Sequence, residues 1–192
     1  IDHRKMDKVN IFVDSILTES VNNPELDNAI LSILKKAKED NNSRKRSNRG
    51  GFQTEIADPF VLNCLLQQSI FMLKRSMELP NTKVSIDAWI NENNKGDYNS
   101  LHSHIGASYS GTYYVKVPKK DGELVFKRDP AVLWTRNQDI INNNETSNTW
   151  ILRPSKNLFV LFSSHIEHMV VPHNDDESRI SVSFNISLTK DG

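Results

Sequence analysis

The stretch RISVSFNISL, residues 179–188, decides the fold class because its polar and apolar side chains alternate without interruption. A period of two is that of a β-strand with one buried face. Ile180, Val182 and Phe184 share the apolar face, and Arg179 begins the polar one. That polar face fits either an edge strand in water or a barrel interior in which Arg179 receives a carboxylate.

Short β-segments of this kind fill the chain from residue 82 onward. Clusters of Gly, Pro, Asn and Asp separate them, as expected for turns. The segments before RISVSFNISL are KVSIDAWI (83–90), GTYYVKV (111–117), GELVFK (122–127), NLFVLF (157–162) and HMVVP (168–172). Helices followed by such strands predict an α+β fold in which the helices support a sandwich or a barrel.

Two amphipathic helices precede the strands. Asn23 and Asp58 can cap them, each is followed by proline, and Pro80 is the predicted end of the second helix. The predicted apolar stripes are Leu26, Ile30, Ile33, Leu34 and Ala37 in the first helix, and Leu62, Leu65, Leu66, Leu73 and Met77 in the second. VNIFVDSIL (9–17) is a candidate strand. We expect one domain over 1–192, with a helical support at about 1–80 and a β core at about 82–190.

Composition excludes several classes of protein. The 192 residues include 24 basic and 24 acidic side chains, and the zero net charge argues against nucleic-acid binding and gives no attraction to membranes. No apolar run is long enough to span a membrane. The single cysteine, Cys64, rules out an intramolecular disulfide and favours a reducing, cytoplasmic compartment.

Two polar segments have no apolar periodicity. The basic segment NNSRKRSNRGGFQTEIA (41–57) is predicted to be a solvated loop, as is the Asn-rich segment 135–149.

Histidines provide the candidate metal ligands. His102 and His104 stand two apart, so on an extended chain they share a face. A third ligand could come from His168, at the start of a predicted strand, or from His165, in the turn before it. His173, after Pro172, is expected to be exposed.

These features together resemble the 2-oxoglutarate (2OG) and Fe(II)-dependent dioxygenases, and more narrowly an oxygenase family of marine bacteria and their phages. The shared motifs are H-x-H (102–104), S-G-x-Y-Y-V (110–115), G-x-L-x-F (122–126), F-S-x-x-x-x-H (162–168) and R-x-S-x-S-F-N (179–185), with SNRGGFQT (47–54) ahead of them. The resemblance runs from about Trp89 to Leu188. It implies a double-stranded β-helix (jelly-roll) core and a location in the cytoplasm of a bacterium or an infected host cell.

The resemblance also implies site residues. His102 and His168 match the histidine ligands, with His104 as the third ligand of Fe(II). Arg179 matches the arginine that binds the distal carboxylate of 2OG, with Ser181 beside it. Tyr114 and Leu124 match positions that line the co-substrate pocket.

His104 departs from the family pattern, because most of the superfamily has Asp or Glu at this position. In a second alignment His104 is the first ligand and Gly106 the paired position, the pattern of the related halogenases.

The implied reaction consumes 2OG and O2 and hydroxylates a peptide or a small molecule. Two other classes stay open: a non-catalytic metal-binding β-sandwich, and a cupin-like three-histidine dioxygenase without 2OG. The sequence predicts neither the substrate nor the oligomeric state.

Overall fold

The strand predicted from residues 179–188 lies in the interior of a β-sheet. The computed structural model describes residues 14–79, 82–120, 122–128 and 148–190. The helices are α1 (Pro24–Glu39) and α2 (Pro59–Ser76). The strands are β1 (Ile16–Ser20), β2 (Asn48–Arg49), β3 (Phe52–Ile56), β4 (Thr82–Asn93), β5 (Tyr98–His102), β6 (Tyr109–Lys116), β7 (Leu124–Lys127), β8 (Thr149–Leu152), β9 (Leu158–Ser163), β10 (Glu167–Val170) and β11 (Arg179–Lys190).

The described strands form two antiparallel sheets. The larger sheet has the order β1-β9-β6-β11-β4-β3, and the smaller has the order β2-β5-β10-β7-β8. Strand β11 pairs with β4 along its whole length and with β6 on its other side. Most neighbours in these sheets are distant in sequence, which is typical of a jelly roll. The α+β, jelly-roll fold predicted from the sequence is confirmed.

Helices α1 and α2 cover the outer face of the larger sheet, where the apolar side of β11 points. Ile180, Val182 and Phe184 are buried there, as their alternation predicts. Leu26 and Ile30 of α1 reach the same core. Each fully buried side chain of this size stabilises the fold by about 1.5–3 kcal/mol.

The caps and stripes of the helices were largely predictable. Asn23 and Asp58 accept hydrogen bonds from backbone N–H groups three residues on, at 3.0 Å each. The stripe of α1 is confirmed, although Ile33 is only half-buried. In α2 the prediction is correct in part: Leu65 and Leu73 are buried and Leu62 and Leu66 pack against the core, whereas Met77 is exposed. The other buried side chains of α2 are Val61, Ser69 and Met72. Ser69 tolerates burial because its hydroxyl donates to the carbonyl of Leu65, at 2.8 Å.

The segment 41–57, predicted to be a solvated loop, contributes β2 to the smaller sheet and β3 to the larger one. Gly50 and Gly51 connect them with φ angles of +76° and +67°, in the region that favours glycine. A Cβ atom on Gly50 would lie within 3 Å of the Asp97 carboxyl group. The chain thus passes from one sheet to the other through a turn that other residues cannot readily adopt.

Two predicted segments and Pro80 lie partly or wholly outside the described residues. The candidate strand at 9–17 is described only from residue 14, and β1 begins at Ile16. The Asn-rich segment 135–149 lies almost entirely outside the described residues, as does Pro80. Neither helix of the described chain is long and apolar enough to cross a membrane.

Candidate functional site

Three of the predicted histidines meet between the two sheets. His102 ends β5 and His168 lies near the start of β10, and the antiparallel pairing places them directly opposite each other. His104 follows two residues later, and its backbone N–H donates to the carbonyl of Ser164 at 2.9 Å. One ligand nitrogen from each of the three imidazoles lies within 4.8 Å of the others. That spacing allows the three rings to hold one metal ion.

Neighbouring groups orient the three rings. The Nδ1 atom of His102 lies 2.7 Å from the carbonyl of Ser100, and that of His168 lies 2.9 Å from the carbonyl of Ile166. Because a carbonyl can only accept, each Nδ1 carries the proton and each Nε2 keeps a free electron pair. The His104 ring stacks on Trp89, with ring centroids 5.6 Å apart.

The surroundings keep these imidazoles neutral. Burial lowers the pKa of His168 to about 3, and the charges of the other two histidines act in the same direction. Burial also lowers the pKa of His104 to about 4, helped by the nearby charge of His102. The pKa of His102 is lowered as well, again mainly by burial. Metal binding requires the neutral imidazole, so the site is ready to bind a cation at neutral pH.

A buried arginine lies behind the histidines in the same cavity. Arg179, the first residue of β11, is 2% exposed, and its Nη1 donates to the Ser181 hydroxyl at 3.0 Å. Its guanidinium carbon lies 4.9 Å from the centroid of the Tyr114 ring, on the strand paired with β11. Among the described residues Arg179 makes no ion pair with a carboxylate. The cavity therefore holds an uncompensated positive charge.

Three buried polar atoms around this charge make no hydrogen bond within the described chain. They are Nε of Arg179, Oη of Tyr114 and Oγ1 of Thr112. Burial raises the pKa of the Tyr114 hydroxyl, which therefore remains a donor at neutral pH. Unsatisfied buried polar groups are costly, and a group that accepts from all three would remove that cost. A carboxylate has this chemistry, so these residues fit the distal end of 2OG.

The predicted site residues thus come together. His102, His104, His168, Arg179 and Leu124 line one cavity, and Ser181 and Tyr114 contact Arg179.

Two histidines stay outside this cavity. His165 lies in the turn before β10, 72% exposed, with Nε2 3.3 Å from the carboxylate of Asp14. The prediction that His173 is exposed was wrong, because it is 1% exposed and its Nε2 lies 3.1 Å from the Asn93 carbonyl. That carbonyl pairs with one nitrogen of the buried ring, whereas Nδ1 has no hydrogen-bond partner among the described residues. A polar sequence context could not predict this burial. Gly106, the paired position of the second alignment, has φ +102° and lies in the turn after His104.

The cavity wall also contains residues that were not predicted as site residues, among them Trp89, Asn91, Thr112 and Ser183. Strand parity could have identified Thr112, which is two residues from Tyr114 and on the same face of β6. It could likewise have paired Ser183 with Ser181. Trp89 and Asn91 can be assigned to the cavity only once the register of β4 against β11 is known. In that register Asn91 lies opposite Ser181 and Trp89 lies opposite Ser183.

Solved structures show the same fold. A Pseudomonas putida prolyl-4-hydroxylase aligns with a TM-score of 0.64 at 13% identity, covering 93% of this chain and 94% of that chain. The viral collagen prolyl hydroxylase of Paramecium bursaria Chlorella virus-1, solved as a 2OG complex, aligns with a TM-score of 0.59 at 16% identity, covering 89% and 94%. SnoN, a non-heme α-ketoglutarate-dependent epimerase from nogalamycin biosynthesis, aligns with a TM-score of 0.65 at 11% identity, covering 91% and 76%.

Sequence comparison identifies the family. Among curated proteins, no sequence matches significantly. The family model described as "Putative 2OG-Fe(II) oxygenase" matches residues 87–185, which is just over half of the chain and includes the three histidines and Arg179. The resemblance predicted from the motifs is confirmed, and the chain belongs to this 2OG-Fe(II) oxygenase family.

Proposed function

We propose that this protein is a dioxygenase that requires Fe(II) and 2OG and hydroxylates a peptide or a small molecule. The observation that supports this most is the combination, in one cavity, of three neutral imidazoles and a buried arginine that has no carboxylate partner among the described residues. A metal site alone would not need Arg179. A buried cation without a counterion suits a site that receives an anionic co-substrate.

In this proposal His102, His104 and His168 hold the iron. The hydrogen bonds of His102 and His168 to backbone carbonyls fix the tautomers in which Nε2 can bind a metal. A third neutral imidazole in place of a carboxylate leaves the charge of the metal site one unit more positive, which favours binding of the dianionic 2OG. When both are bound, the iron and 2OG supply the oxidising chemistry, in which 2OG and O2 are consumed and succinate and CO2 are released.

The other end of the cavity would hold 2OG. The planar guanidinium of Arg179 can donate two parallel hydrogen bonds to a carboxylate. Ser181 already accepts from one of its nitrogens, and the neighbouring hydroxyls of Tyr114 and Thr112 can donate to the same carboxylate. Leu124 is buried beside them and helps to exclude water. This end of the site therefore binds and orients the co-substrate.

The fold is compatible with more than one class of substrate. Prolyl hydroxylases and an epimerase of an antibiotic pathway share this architecture at low identity, so both peptides and small molecules are compatible with it. The prolyl hydroxylases cover nearly the full length of this chain, and we take hydroxylation of carbon as the default outcome.

One observation favours a second function. Three histidines without a carboxylate also suit a cupin-like dioxygenase that does not use 2OG. That function would leave the buried charge of Arg179 without a role, and for this reason we prefer the 2OG-dependent reaction. Binding of 2OG distinguishes the two, because only the proposed enzyme should bind it next to the metal.

The proposal can be tested without knowledge of the substrate. The Fe(II)-loaded protein, mixed with 2OG in the absence of oxygen, should show a weak visible charge-transfer band. After oxygen is admitted, succinate should form slowly even without substrate. His168→Ala should abolish both signals while the protein remains folded by circular dichroism. His165→Ala is the matched control, because His165 is exposed and outside the cluster, and it should retain both signals. If the wild-type protein forms no more succinate than a metal-free sample, the proposal is wrong.

A further inference from the structure

The metal cluster is accessible from the side of His104. His168 is buried, whereas His102 and His104 are half-buried. At the other end of the cavity Arg179 is almost completely buried. A substrate can therefore reach the cluster from the side of His102 and His104.

Two neighbouring surface hollows flank this approach. One is lined by His104, Ile105 and Gly106, and the other by Gln53, Glu55 and Trp89. Arg46 and Asp87 line both hollows, so the two form one continuous groove. We name this groove the rim groove.

The basic segment of the sequence borders the rim groove. Residues 44–49, RKRSNR, carry four positive charges, whereas the whole chain has none in excess. Arg44 and Arg46 both contact the same carboxylate, that of Glu55, and Arg46 lies 3.4 Å from it. One carboxylate cannot neutralise two guanidinium groups. The side chains of both arginines are about half exposed, at 51% and 57%, so an anion from solution can reach them.

The backbone that carries these arginines is fixed. The N–H of Arg44 donates to the carbonyl of Gln53 on β3, and the N–H of Arg46 donates to the side chain of Asn48, each at 2.8 Å. Asn48 is buried and belongs to β2. Less conformational entropy is therefore lost when an anion is bound than on an unstructured basic loop.

The rim groove also contains a negative charge, Asp87, which is separate from the arginines. Asp87 is exposed, and its carboxylate accepts from the side chain of Asn185 at 3.1 Å. No cation is paired with Asp87 among the described residues. An anionic ligand is consequently attracted toward Arg44 and Arg46 and repelled from Asp87, which gives its bound orientation a direction.

We propose that the substrate carries a carboxylate or an equivalent anionic group, which Arg46 and Arg44 bind in the rim groove while the carbon to be oxidised lies at the histidine cluster. This inference rests on the proposed function. The anionic group comes either from an acidic residue beside the hydroxylated position of a peptide or from a small carboxylic acid. The two sources share the chemistry that Arg46 recognises, and the experiment separates them.

The test is a binding measurement that needs no turnover. A fluorescein-labelled peptide of alternating Glu and Gly around a central Pro is titrated with the Mn(II)- and 2OG-loaded protein, and anisotropy is recorded. The same peptide with Gln in place of Glu is the neutral probe. The Glu peptide should bind about fivefold to tenfold more tightly at low salt, and the difference should shrink in high salt. N-acetylglutamate amide, added as a competitor, displaces the peptide at a similar concentration only if a single carboxylate suffices.

Substitutions with opposite expected signs make the result specific. Arg46→Ala should weaken binding of the Glu peptide about fivefold, whereas Glu55→Gln should strengthen it because the arginines lose their internal partner. Lys36→Ala removes an exposed positive charge on α1 and is the matched control that should change nothing.

Three results would overturn the inference. They are equal binding of the Glu and Gln peptides, an unchanged affinity in Arg46→Ala, and single-stranded RNA that binds more tightly than the Glu peptide and depends on Arg46. Each variant is also tested for 2OG binding. Failure of the wild-type protein to bind 2OG would refute the proposed function, whereas the peptide titration without 2OG would still decide whether the rim groove binds anions.

Discussion

Replacement of Arg179 by methionine should strongly weaken 2OG binding and leave the stability of the 2OG-free protein nearly unchanged. The guanidinium is 2% exposed, and a charge removed from water to this degree costs several kcal/mol. Two contacts offset this cost: a charged hydrogen bond to Ser181, worth about 1.5–3 kcal/mol, and the face of Tyr114, worth up to about 2 kcal/mol. Since these terms nearly cancel, Arg179→Met should change the free energy of unfolding by no more than about 1 kcal/mol.

An arginine paired with a buried carboxylate would behave differently, because its removal leaves the partner charge unpaired at a cost of about 3–5 kcal/mol. Urea unfolding of the 2OG-free protein separates the two cases. Isothermal titration with 2OG should show a loss of about 2–5 kcal/mol of binding free energy in Arg179→Met, which is about 30-fold or more in affinity. Arg153→Met, at a largely exposed position, should match the wild type in both measurements. A variant that unfolds much more readily, or that binds 2OG normally, would refute this account of Arg179.

Three further substitutions test other parts of the structure. Thr112→Val, which removes a buried hydroxyl without a partner, should weaken 2OG binding about fivefold in the same titration, whereas Thr112→Ser should not. Gly111→Ala should destabilise the protein by about 3 kcal/mol in urea unfolding, because the new Cβ would lie 2.3 Å from the ring of Phe184; an unchanged midpoint would contradict the packing described here. Tyr113→Phe should cost about 1–3 kcal/mol at pH 8, since the hydroxyl of Tyr113 donates to Asp27 at 2.8 Å. Burial raises the pKa of Tyr113, helped by Asp27, so the stability that its hydroxyl contributes is complete below pH about 10 and is lost as the pH rises further; the difference between wild type and variant should therefore narrow at pH 11.

The sequence predicted best what depends on short-range periodicity. The alternation in residues 179–188 correctly assigned the two faces of β11. The spacing of His102 and His104 predicted that their rings lie together, and their centroids are 5.0 Å apart, although His104 lies beyond the end of β5. Helix α1 followed from its cap and its stripe. In each case the information lies within a few residues of the feature, and the physical rule, a period of two or of 3.6, acts locally.

The features that the sequence did not predict depend on contacts with residues far away in the chain. Strand β3 has a mixed sequence, FQTEI, and becomes a strand because β4 offers it an open edge. His173 is buried because the carbonyl of Asn93, 80 residues earlier, accepts from its ring. The approach of His102 to His168 depends on the register of β5 against β10, which neither strand encodes alone. The motif resemblance supplied the topology that periodicity could not.

The position of β11 has a consequence for how the chain is made. This strand lies between β4 and β6, yet it follows every other described strand in the sequence. A ribosome completes β6 more than 60 residues before it completes β11. At typical rates of synthesis, the edges of β4 and β6 that pair with β11 therefore stay unpaired for on the order of several seconds. The larger sheet and the arginine of the cavity are therefore finished in the same final step. A nascent or truncated chain that lacks β11 would leave the facing edges of β4 and β6 unpaired and would lack Arg179.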